Sequence, residues 1–523
     1  MKLLKNEKFI LILIIFLAIF LRIIALPQIP LGFYRDEILN SYEAYSILTT
    51  GKDQWGNFLP LRFKGFGDWP PPLYFYFNVP FVLIFGLNEW VIRLPAALLG
   101  ILTVWLTFLL VKELFKNKNI AFLSSLLMAI SPWHLHYSRL NFPAIMIPFL
   151  ITLGLWLFFY GLNHKKEWPI YFAVFFISLT IWSYSIAQVF TPLLLLGLLI
   201  FYRKELKKKI IFGGILTASI LFLPFIFLTL KNYSFWQVRF DNISIFNTKK
   251  PFLSFINNYF SHLSPKFLFF RGDINLRHHV FGMGQLYLFE AIAFIYLIIY
   301  LIKKKTILPH LNFLIYWFLI FPFASSLTIE NIPHATRTIV GLPLLHILSA
   351  LGLYFLFSFF KKELVKVIFY SFLILIIGIC FFWFIINYFF LYPKYSAPAF
   401  FYGQKEVVNY IRENYNYYDK IIISGKNHHP YLYLLFYLPY LPEKFHHSQI
   451  ETEQFSLDTI VVNSFDKFIF EYDFKKIEKF LPKTLYVEYY FSKGKISHLN
   501  NLKIKKIIYF PNGLIAYRIM ALE

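Results

Sequence analysis

Long apolar runs recur along most of this sequence, and short lysine-rich tracts separate many of them. A helix that crosses a bilayer needs about 20 predominantly apolar residues, because each residue rises about 1.5 Å through about 30 Å of hydrocarbon. Eleven runs meet or approach this length. They lie at residues 9–26, 91–111, 120–135, 143–162, 169–185, 187–202, 210–230, 286–302, 311–329, 338–360 and 367–391. The sequence therefore predicts an all-α polytopic membrane protein with about eleven transmembrane helices.

The composition excludes a water-soluble enzyme of this length. Hydrophobic residues make up 58% of the 523 residues and charged residues only 15%, against about 25% charged in ordinary soluble domains. The net charge of +23 is also compatible with nucleic-acid binding. However, the basic residues form short tracts between apolar runs, which is the arrangement of membrane proteins. We therefore expect a lipid bilayer as partner and no nucleic acid.

The lysine tracts predict the topology. They occupy alternate loops, at residues 112–118, 165–166, 203–209, 303–305 and 361–366. Cytoplasmic loops carry an excess of basic residues, so this pattern places the N-terminus in the cytoplasm. Every arginine before residue 400 except Arg203 falls on the opposite side. The sequence thus predicts a multi-pass protein of the plasma membrane whose functional groups face outward.

Two long outer loops and a C-terminal segment stand apart from the apolar runs. The predicted membrane domain, 1–391, carries outer loops at 27–90 and 231–285. Residues 403–415 have helical periodicity, and three apolar segments resemble buried strands. Those segments are 421–423, 459–462 and 506–509. Residues 392–523 are therefore expected to form a small extracytoplasmic α/β domain.

The first outer loop carries adjacent acids close to the membrane. Asp36 and Glu37 follow the end of the first apolar run by about ten residues. Charge near the bilayer is costly and is often functional. The alternative is structural, with Asp36 capping a helix over 37–48 and Glu37 favouring its dipole. The loop continues through Asp68 to the run Pro70-Pro71-Pro72-Leu73-Tyr74.

Further polar groups lie at the predicted outer ends of later spans. They are Arg93-Leu94-Pro95, Ser131-Pro132 with His134, His136 and Ser138-Arg139, and Pro333-His334 with Arg337. Arginine suits bidentate contact with phosphate or carboxylate. The alternative is that these arginines snorkel or form structural pairs at the interface, and that the histidines are ordinary interfacial residues. Together the motifs place acids, arginines, histidines and tyrosines on one membrane face.

On these motifs the chain resembles the GT-C membrane glycosyltransferases, specifically the protein O-mannosyltransferases and aminoarabinose transferases of glycosyltransferase family 39. The resemblance covers about residues 1–400. It is carried by Asp36-Glu37 with the Tyr42 and Ala44 spacing, Pro-Pro-Leu-Tyr at 71–74, Arg93-Leu94-Pro95, Ser131-Pro132 with Ser138-Arg139, and Arg337. One position departs from the family pattern, since many relatives carry lysine where this chain has Pro70. The corresponding phosphate contact must come from elsewhere, and Lys64 and Arg62 are candidates.

The resemblance implies a polyprenyl-phosphate sugar as donor and a protein, lipid or glycan as acceptor. Phosphate leaves without a general acid, so the reaction needs one base and cations that hold the developing charge. By resemblance Asp36 is the base and Glu37 its helper, and a single displacement inverts the anomeric centre. The candidate donor-phosphate contacts are Arg337, Arg139, Arg93 and Lys64. The candidate acceptor or sugar contacts are Asp68, Tyr74, His134 and His136.

No cofactor is certain from the sequence, although a divalent cation is possible. Histidine pairs occur at 278–279, 428–429 and 446–447. Adjacent histidines cannot easily share one ion, and no Cys, Asp or Glu spacing completes a zinc site, so no metal ligands are predicted.

Two other functions compete with sugar transfer. A transporter or flippase of lipid-linked glycans would show inverted repeats and charges near the midplane, and neither is visible. A receptor that binds through 400–523 would leave the loop of Asp36 and Glu37 without a role.

Overall fold

A computed structural model of the chain describes most of the sequence. The described residues are 7–232, 241–304, 308–359, 362–456, 459–472, 474, 477, 479–489 and 502–522. Contacts divide the chain into two compact units. Unit 1 comprises Met1–Ile24 and Ala96–Phe389, and unit 2 comprises Ala25–Pro95 and Phe390–Glu523. The first outer loop is thus grouped with the C-terminal residues.

Unit 1 is built of helices. Those that lie wholly or mostly within it are Glu7–Ile23, Glu89–Phe115, Lys118–Ile130, Pro132–Tyr137, Met146–Asn163, Trp168–Leu179, Ala187–Tyr202, Lys208–Lys231, Pro251–Leu263, Leu288–Lys304, Leu311–Ile320, Phe323–Ser326, Ala335–Thr338, Leu344–Phe359 and Glu363–Ile386. Short 3-10 turns cover Pro143–Ile145, Thr180–Trp182, Ile245–Asn247 and Ile339–Gly341, and π-helical turns cover Lys266–Arg271 and Asn387–Leu391. The predicted helical architecture of this part of the chain is confirmed.

The predicted count of eleven spans is not confirmed. Within the described ranges, four helices are long and apolar enough to cross a membrane. They are Glu89–Phe115, Pro143–Asn163, Lys208–Lys231 and Glu363–Phe400. A pair bent by 56°, Ala335–Gly341 and Leu344–Phe359, makes a fifth if it counts as one span. Two further runs, 187–202 and 286–302, correspond to helices of the same length, Ala187–Tyr202 and Leu288–Lys304, and the other remaining runs are shorter or divided as helices.

Local breaks explain part of this difference. The run predicted over 120–135 stops being one helix at Ile130. There the Ser131 hydroxyl accepts a hydrogen bond from the His134 N–H and caps a separate short helix that begins at Pro132. A side-chain cap followed by proline is a standard helix start, because proline lacks the N–H that would continue the preceding turn.

Small residues bring helices of unit 1 into close contact. A Cβ added at Gly352 would collide with the carbonyl of Ala293 on helix Leu288–Lys304. Gly154 faces Ile177 and the Ala173 carbonyl in the same way. Backbones can approach this closely only where no side chain intervenes, which is how apolar helices pack in membranes.

The N-terminal part of unit 2 contains two helices, Arg35–Thr50 and Leu73–Phe85. They pack around buried Ala44, Val82 and Val91. Helix Arg35–Thr50 ends at Gly51, which has φ +69° and donates its N–H to the Ile47 carbonyl. Glycine adopts this left-handed conformation without the steric cost that a Cβ imposes.

The described residues in the C-terminal part of unit 2 form a seven-stranded mixed sheet with short helices. The helices are Tyr392–Ser396, Gln404–Glu413, Tyr431–Tyr437 and Pro442–His447, with 3-10 turns at Ala397–Phe400 and Lys426–His428. The strands are β1 Lys420–Ser424, β2 Glu451–Ser456, β3 Thr459–Phe465, β4 Phe468–Glu471, β5 Thr484–Tyr489, β6 Leu502–Tyr509 and β7 Ile515–Leu522. Their order is β2-β3-β4-β1-β5-β7-β6. Strand β1 is parallel to β4 and β5, and the other pairs are antiparallel.

These elements confirm the predicted sheet domain. The helix predicted over 403–415 is Gln404–Glu413, and it buries the apolar face that its periodicity indicated. Strands β1, β3 and β6 contain the three predicted segments. The expectation that all three are buried is wrong for β6, which is largely exposed because it lies at the edge of the sheet.

Candidate functional site

The two adjacent acids of the first outer loop lie in the first turn of helix Arg35–Thr50. The Glu37 carboxylate accepts a hydrogen bond from the backbone N–H of Tyr34 at 3.0 Å. It therefore satisfies one of the N–H groups that a helix start leaves open. The structural alternative, in which Asp36 caps a helix over 37–48, is wrong because Tyr34 is the residue that precedes the first turn.

Glu37 forms a fully buried ion pair with Arg93 in unit 2. Nε of Arg93 lies 2.9 Å from Oε1 of Glu37, and Nη2 lies 3.3 Å from Oε2. The same guanidinium donates to the carbonyls of Leu26, Pro30 and Gly32. An arginine has five N–H donors, and these contacts use all three nitrogens. Arg93 thus binds Glu37 and the loop backbone. A phosphate contact would instead be expected to have an accessible guanidinium.

Asp36 has the opposite environment. Its side chain is 46% exposed, and its Oδ1 lies 3.7 Å from Nε of Arg35. The Arg35 guanidinium lies 4.6 Å from the centre of the Phe66 ring. Burial acts to lower the pKa of Arg35, but the neighbouring Tyr34 and Asp36 outweigh it, so the pKa is raised. Asp36 is therefore an accessible carboxylate beside a cation that stays charged.

Arg35 is a residue that the sequence analysis did not assign a role. Asp68, a candidate sugar or acceptor contact, also favours the charged form of Arg35 and raises its pKa. The structure thus places Asp36 and Asp68 around one arginine. The available signal was the position of Arg35 directly before the two acids.

The other loop candidates of unit 2 have partners within the loop. Nζ of Lys64 lies 4.5 Å from the centre of the Trp55 ring. Arg62 donates to the Trp69 carbonyl at 3.2 Å, and burial lowers its pKa to about 10. Tyr74 is completely buried near the start of helix Leu73–Phe85. Of these, Lys64 is the more exposed cation.

Arg337 lies in unit 1, in the short helix Ala335–Thr338. Its Nη2 lies 2.6 Å from Oε2 of Glu330, and its Nη1 donates to Oγ1 of Thr328 at 2.7 Å. The arginine side chain is 5% exposed and that of Glu330 is 47% exposed. The Arg337 guanidinium thus already binds the carboxylate of Glu330, which is partly exposed to solvent.

The candidate residues on and after helix Pro132–Tyr137 are fully buried in unit 1. Arg22 donates to Nδ1 of His134 at 2.9 Å, and Nε2 of His136 lies 2.8 Å from the Arg277 carbonyl. Arg139 donates to the Leu21 carbonyl at 2.9 Å, and its guanidinium lies 5.7 Å from the Tyr388 ring centre. These contacts hold the side chains against neighbouring backbone and rings.

A cluster that the sequence analysis missed lies in the same unit. Asp273, His278 and His334, here called the Asp273 cluster, each offer a ligand atom, and these atoms lie within 4.8 Å of one another. The cluster fits the possibility of a divalent cation, and one of its histidines belongs to the pair 278–279. His279 is directed elsewhere, with Nδ1 3.1 Å from the Asn275 carbonyl. Only the fold brings together ligands separated by 56 residues, so sequence spacing carried no signal.

Comparison with known proteins identifies what this architecture resembles. Residues 70–227 match the family model described as dolichyl-phosphate-mannose-protein mannosyltransferase. The putative mannosyltransferase YkcB of Bacillus subtilis (strain 168) is 29% identical over 247 residues, covering 45% of this chain and 32% of that protein. A protein of Aquifex aeolicus (strain VF5) is 32% identical over 157 residues, covering 29% and 31%. The chain thus spans about a third of the length of these curated relatives.

Solved structures show the same fold. ArnT from Cupriavidus metallidurans, bound to undecaprenyl phosphate, matches over 97% of both chains with a TM-score of 0.59 and 12% identity. AglB from Archaeoglobus fulgidus, in complex with an inhibitory peptide and a dolichol-phosphate, matches over 82% of this chain and 63% of that chain, with a TM-score of 0.53 and 15% identity. Together with the family match, these likenesses confirm the predicted resemblance in fold to the GT-C membrane glycosyltransferases.

Proposed function

Because this chain is a multi-pass membrane protein with the fold of GT-C glycosyltransferases, we propose that it transfers a sugar from a polyprenyl-phosphate donor to an acceptor. The acceptor is a hydroxyl or similar nucleophile of a protein, lipid or glycan, and transfer takes place at the outer face of the membrane. The N-terminus is cytoplasmic and the C-terminal sheet domain is extracytoplasmic in this proposal, as the lysine tracts predict. The solved relatives support a lipid-phosphate donor, since ArnT was solved with undecaprenyl phosphate and AglB with a dolichol-phosphate.

The different environments of Asp36 and Glu37 are the observation that carries the assignment of the base. Glu37 is buried and paired with Arg93, so its carboxylate is occupied in holding the helix start. Asp36 is 46% exposed one residue earlier. A base must reach the proton that it removes, and Asp36 has that access. Glu37 and Arg93 then act as positioning residues that fix the turn on which Asp36 lies.

The proposed step uses Asp36 once. The acceptor oxygen attacks the anomeric carbon, the bond between that carbon and the phosphate oxygen breaks, and the phosphate leaves with its electron pair. The Asp36 carboxylate takes the acceptor proton as the new bond forms. Attack opposite to the leaving phosphate inverts the anomeric centre.

Cations stabilise the negative charge that develops on a leaving phosphate. Arg337 is the first proposed donor-phosphate contact, because its partner Glu330 is a half-exposed carboxylate that a phosphate can replace. Arg139 and Lys64 are further proposed contacts. For Arg93 the proposed role is positioning, since its guanidinium already binds Glu37 and backbone carbonyls, so as a phosphate contact it ranks behind Arg337, Arg139 and Lys64.

Asp68 and Tyr74 remain proposed contacts for sugar or acceptor, and His134 and His136 are weaker ones. His134 is held by Arg22, and His136 is held by the Arg277 carbonyl. Asp68 and Tyr74 lie in the same unit as Asp36.

The proposal is tested by donor consumption. Purified full-length protein in nanodiscs is offered a panel of polyprenyl-phosphate sugars with a mixture of acceptors, and mass spectrometry follows released polyprenyl phosphate. We expect one donor class to be consumed. A labelled lipid-linked sugar that crosses a vesicle bilayer without being consumed would instead establish the flippase function and overturn the proposal.

A further inference from the structure

The Asp273 cluster joins two segments of unit 1 that are far apart in sequence. Asp273 and His278 lie in the segment that follows the π-helical turn Lys266–Arg271, and His334 directly precedes helix Ala335–Thr338. Nδ1 of His278 lies 3.2 Å from Oδ2 of Asp273, and Nδ1 of His334 lies 3.7 Å from the same oxygen. The two imidazole rings stack, with their centres 4.6 Å apart and an angle of 22° between their planes.

The two distances to the carboxylate oxygen fit ligands around one small cation. Zinc binds imidazole nitrogen and carboxylate oxygen at about 2.0–2.2 Å, so neighbouring ligands of a tetrahedral site lie about 3.3–3.6 Å apart. The two measured distances, 3.2 and 3.7 Å, bracket this range. Nδ1 of both histidines is turned toward the same carboxylate oxygen, so the three ligand atoms face one another.

The surrounding contacts hold the three ligands in place. Oδ1 of Asp273 accepts the N–H of Asn275 at 2.8 Å, and Oδ2 accepts the N–H of Ala335 at 2.7 Å. The backbone N–H of His334 donates to Nε2 of His262 at 3.1 Å. Asp273 is 2% exposed and His334 is 6% exposed. Metal sites commonly fix their ligands by such outer hydrogen bonds.

We propose that Asp273, His278 and His334 form a binding site for a Zn²⁺-class divalent cation, with a fourth position open to water. Two imidazoles and one carboxylate suit zinc and similar transition metals. They do not suit Mg²⁺ or Ca²⁺, which prefer oxygen ligands. The site stands on this geometry alone and does not depend on the proposed sugar transfer.

The cation has a structural consequence for Arg337. A bound cation links the segment of Asp273 to His334, the residue directly before the helix that carries Arg337. A metal that binds only the folded protein stabilises it by mass action. Occupation of the site should therefore raise the melting temperature and fix the short helix of Arg337.

The binding test uses full-length protein in detergent after dialysis against a chelator. Zn²⁺ is added, free metal is removed by gel filtration, and bound metal per chain is measured by mass spectrometry. We expect one Zn²⁺ per chain in the wild type, and no retention of Mg²⁺ or Ca²⁺ under the same treatment. His278→Gln and His334→Gln should each weaken zinc binding by about a hundredfold or more.

Two matched variants control for other histidines. His279→Gln alters the neighbouring ring that lies outside the cluster, and His447→Gln alters an exposed ring of unit 2. Both should retain zinc. If His278→Gln and His334→Gln bind zinc as tightly as these controls, or if the wild type retains no zinc, the proposal is wrong.

A measurement on the wild type alone covers the case in which the variants fail to fold. X-ray absorption at the zinc edge counts the imidazole ligands directly. Two imidazoles with additional oxygen ligands are expected. A shell with no imidazole, or with three or more, would overturn the assignment of these ligands.

Discussion

The buried pair of Glu37 and Arg93 gives a sharp prediction for stability. Replacing Arg93 by methionine keeps much of the apolar stem and removes the guanidinium from Glu37. Two charge-assisted hydrogen bonds, at 2.9 and 3.3 Å, are lost, and each such bond is worth about 1.5–3 kcal/mol. Since removing one partner of a buried pair typically costs about 3–5 kcal/mol, we expect Arg93→Met to destabilise the protein by that amount.

Thermal melting of purified protein in detergent measures the effect. One kcal/mol corresponds to about 2–4 °C in a unit of 150–250 residues, so the melting temperature should fall by about 10 °C. Arg412→Met, at an exposed arginine of the same unit, is the control, and it should shift the melting temperature by less than about 2 °C.

A double variant separates the pair from the backbone contacts. Arg93→Met combined with Glu37→Gln removes the buried negative charge that the single change leaves behind, so part of the loss should be recovered. The remaining loss reflects the carbonyls of Pro30 and Gly32, which no longer have the arginine as donor. A single variant Arg93→Met that melts within about 2 °C of wild type would refute the reasoning.

Three further predictions concern the two units separately. Gly32→Ala should destabilise unit 2 by about 1–3 kcal/mol in chemical or thermal unfolding. The reason is that φ of Gly32 is +80° and an added Cβ would press on a backbone carbonyl. An unchanged melting temperature would contradict this. Gly352→Ala should lower the melting temperature of unit 1, because its Cβ would collide with the Ala293 carbonyl of the facing helix; an equal or higher melting temperature would show that the helices can separate freely. Burial, and then the charge of Arg35, lower the pKa of His428 from 6.5 to about 4, so the folded protein holds this ring neutral and the unfolded chain binds the proton more tightly. Stability should therefore fall as the pH decreases from about 6.5 to about 4, by about 3 kcal/mol from this group. Melting curves of His428→Gln should show a weaker decline over that interval than wild type.

Local patterns in the sequence predicted much of the fold. The periodicity of residues 403–415 identified helix Gln404–Glu413, because the apolar spacing of a surface helix is contained in a few turns. Apolar runs identified the membrane helices for the same reason. The division of these runs into shorter helices was harder to foresee. It depends on capping and proline positions such as Ser131-Pro132, which also occur inside continuous spans.

The burial of strands and the grouping of chain segments depend on distant residues. Residues 507–508 of strand β6 are as apolar as a central strand, yet β6 lies at the sheet edge, where β7 is its one partner among the described strands. The position of β6 in the sheet is set by the topology of the whole domain. A local pattern cannot report which strands remain at an edge.

In the candidate site, too, local motifs could be recognised from the sequence, whereas contacts between distant residues could not. Adjacent Asp36 and Glu37 were visible as a motif, but their separate roles were not. Glu37 pairs with Arg93, which lies 56 residues later, because the path of the backbone brings the two side chains together. The ligands of the Asp273 cluster have a comparable separation. Such pairs have no fixed spacing, so sequence reasoning could name the residues without joining them.

The assignment of Asp36 as base is the central claim, and one comparison tests it most directly. Donor consumption is measured for wild type, Asp36→Asn and Asp419→Asn, the last being an exposed aspartate of the same unit that serves as the matched control. General-base catalysis contributes about 10²–10⁴-fold. We therefore expect Asp36→Asn to lose at least about a hundredfold in rate with an unchanged melting temperature, while Asp419→Asn keeps the wild-type rate. A rate for Asp36→Asn within about threefold of wild type would contradict the claim.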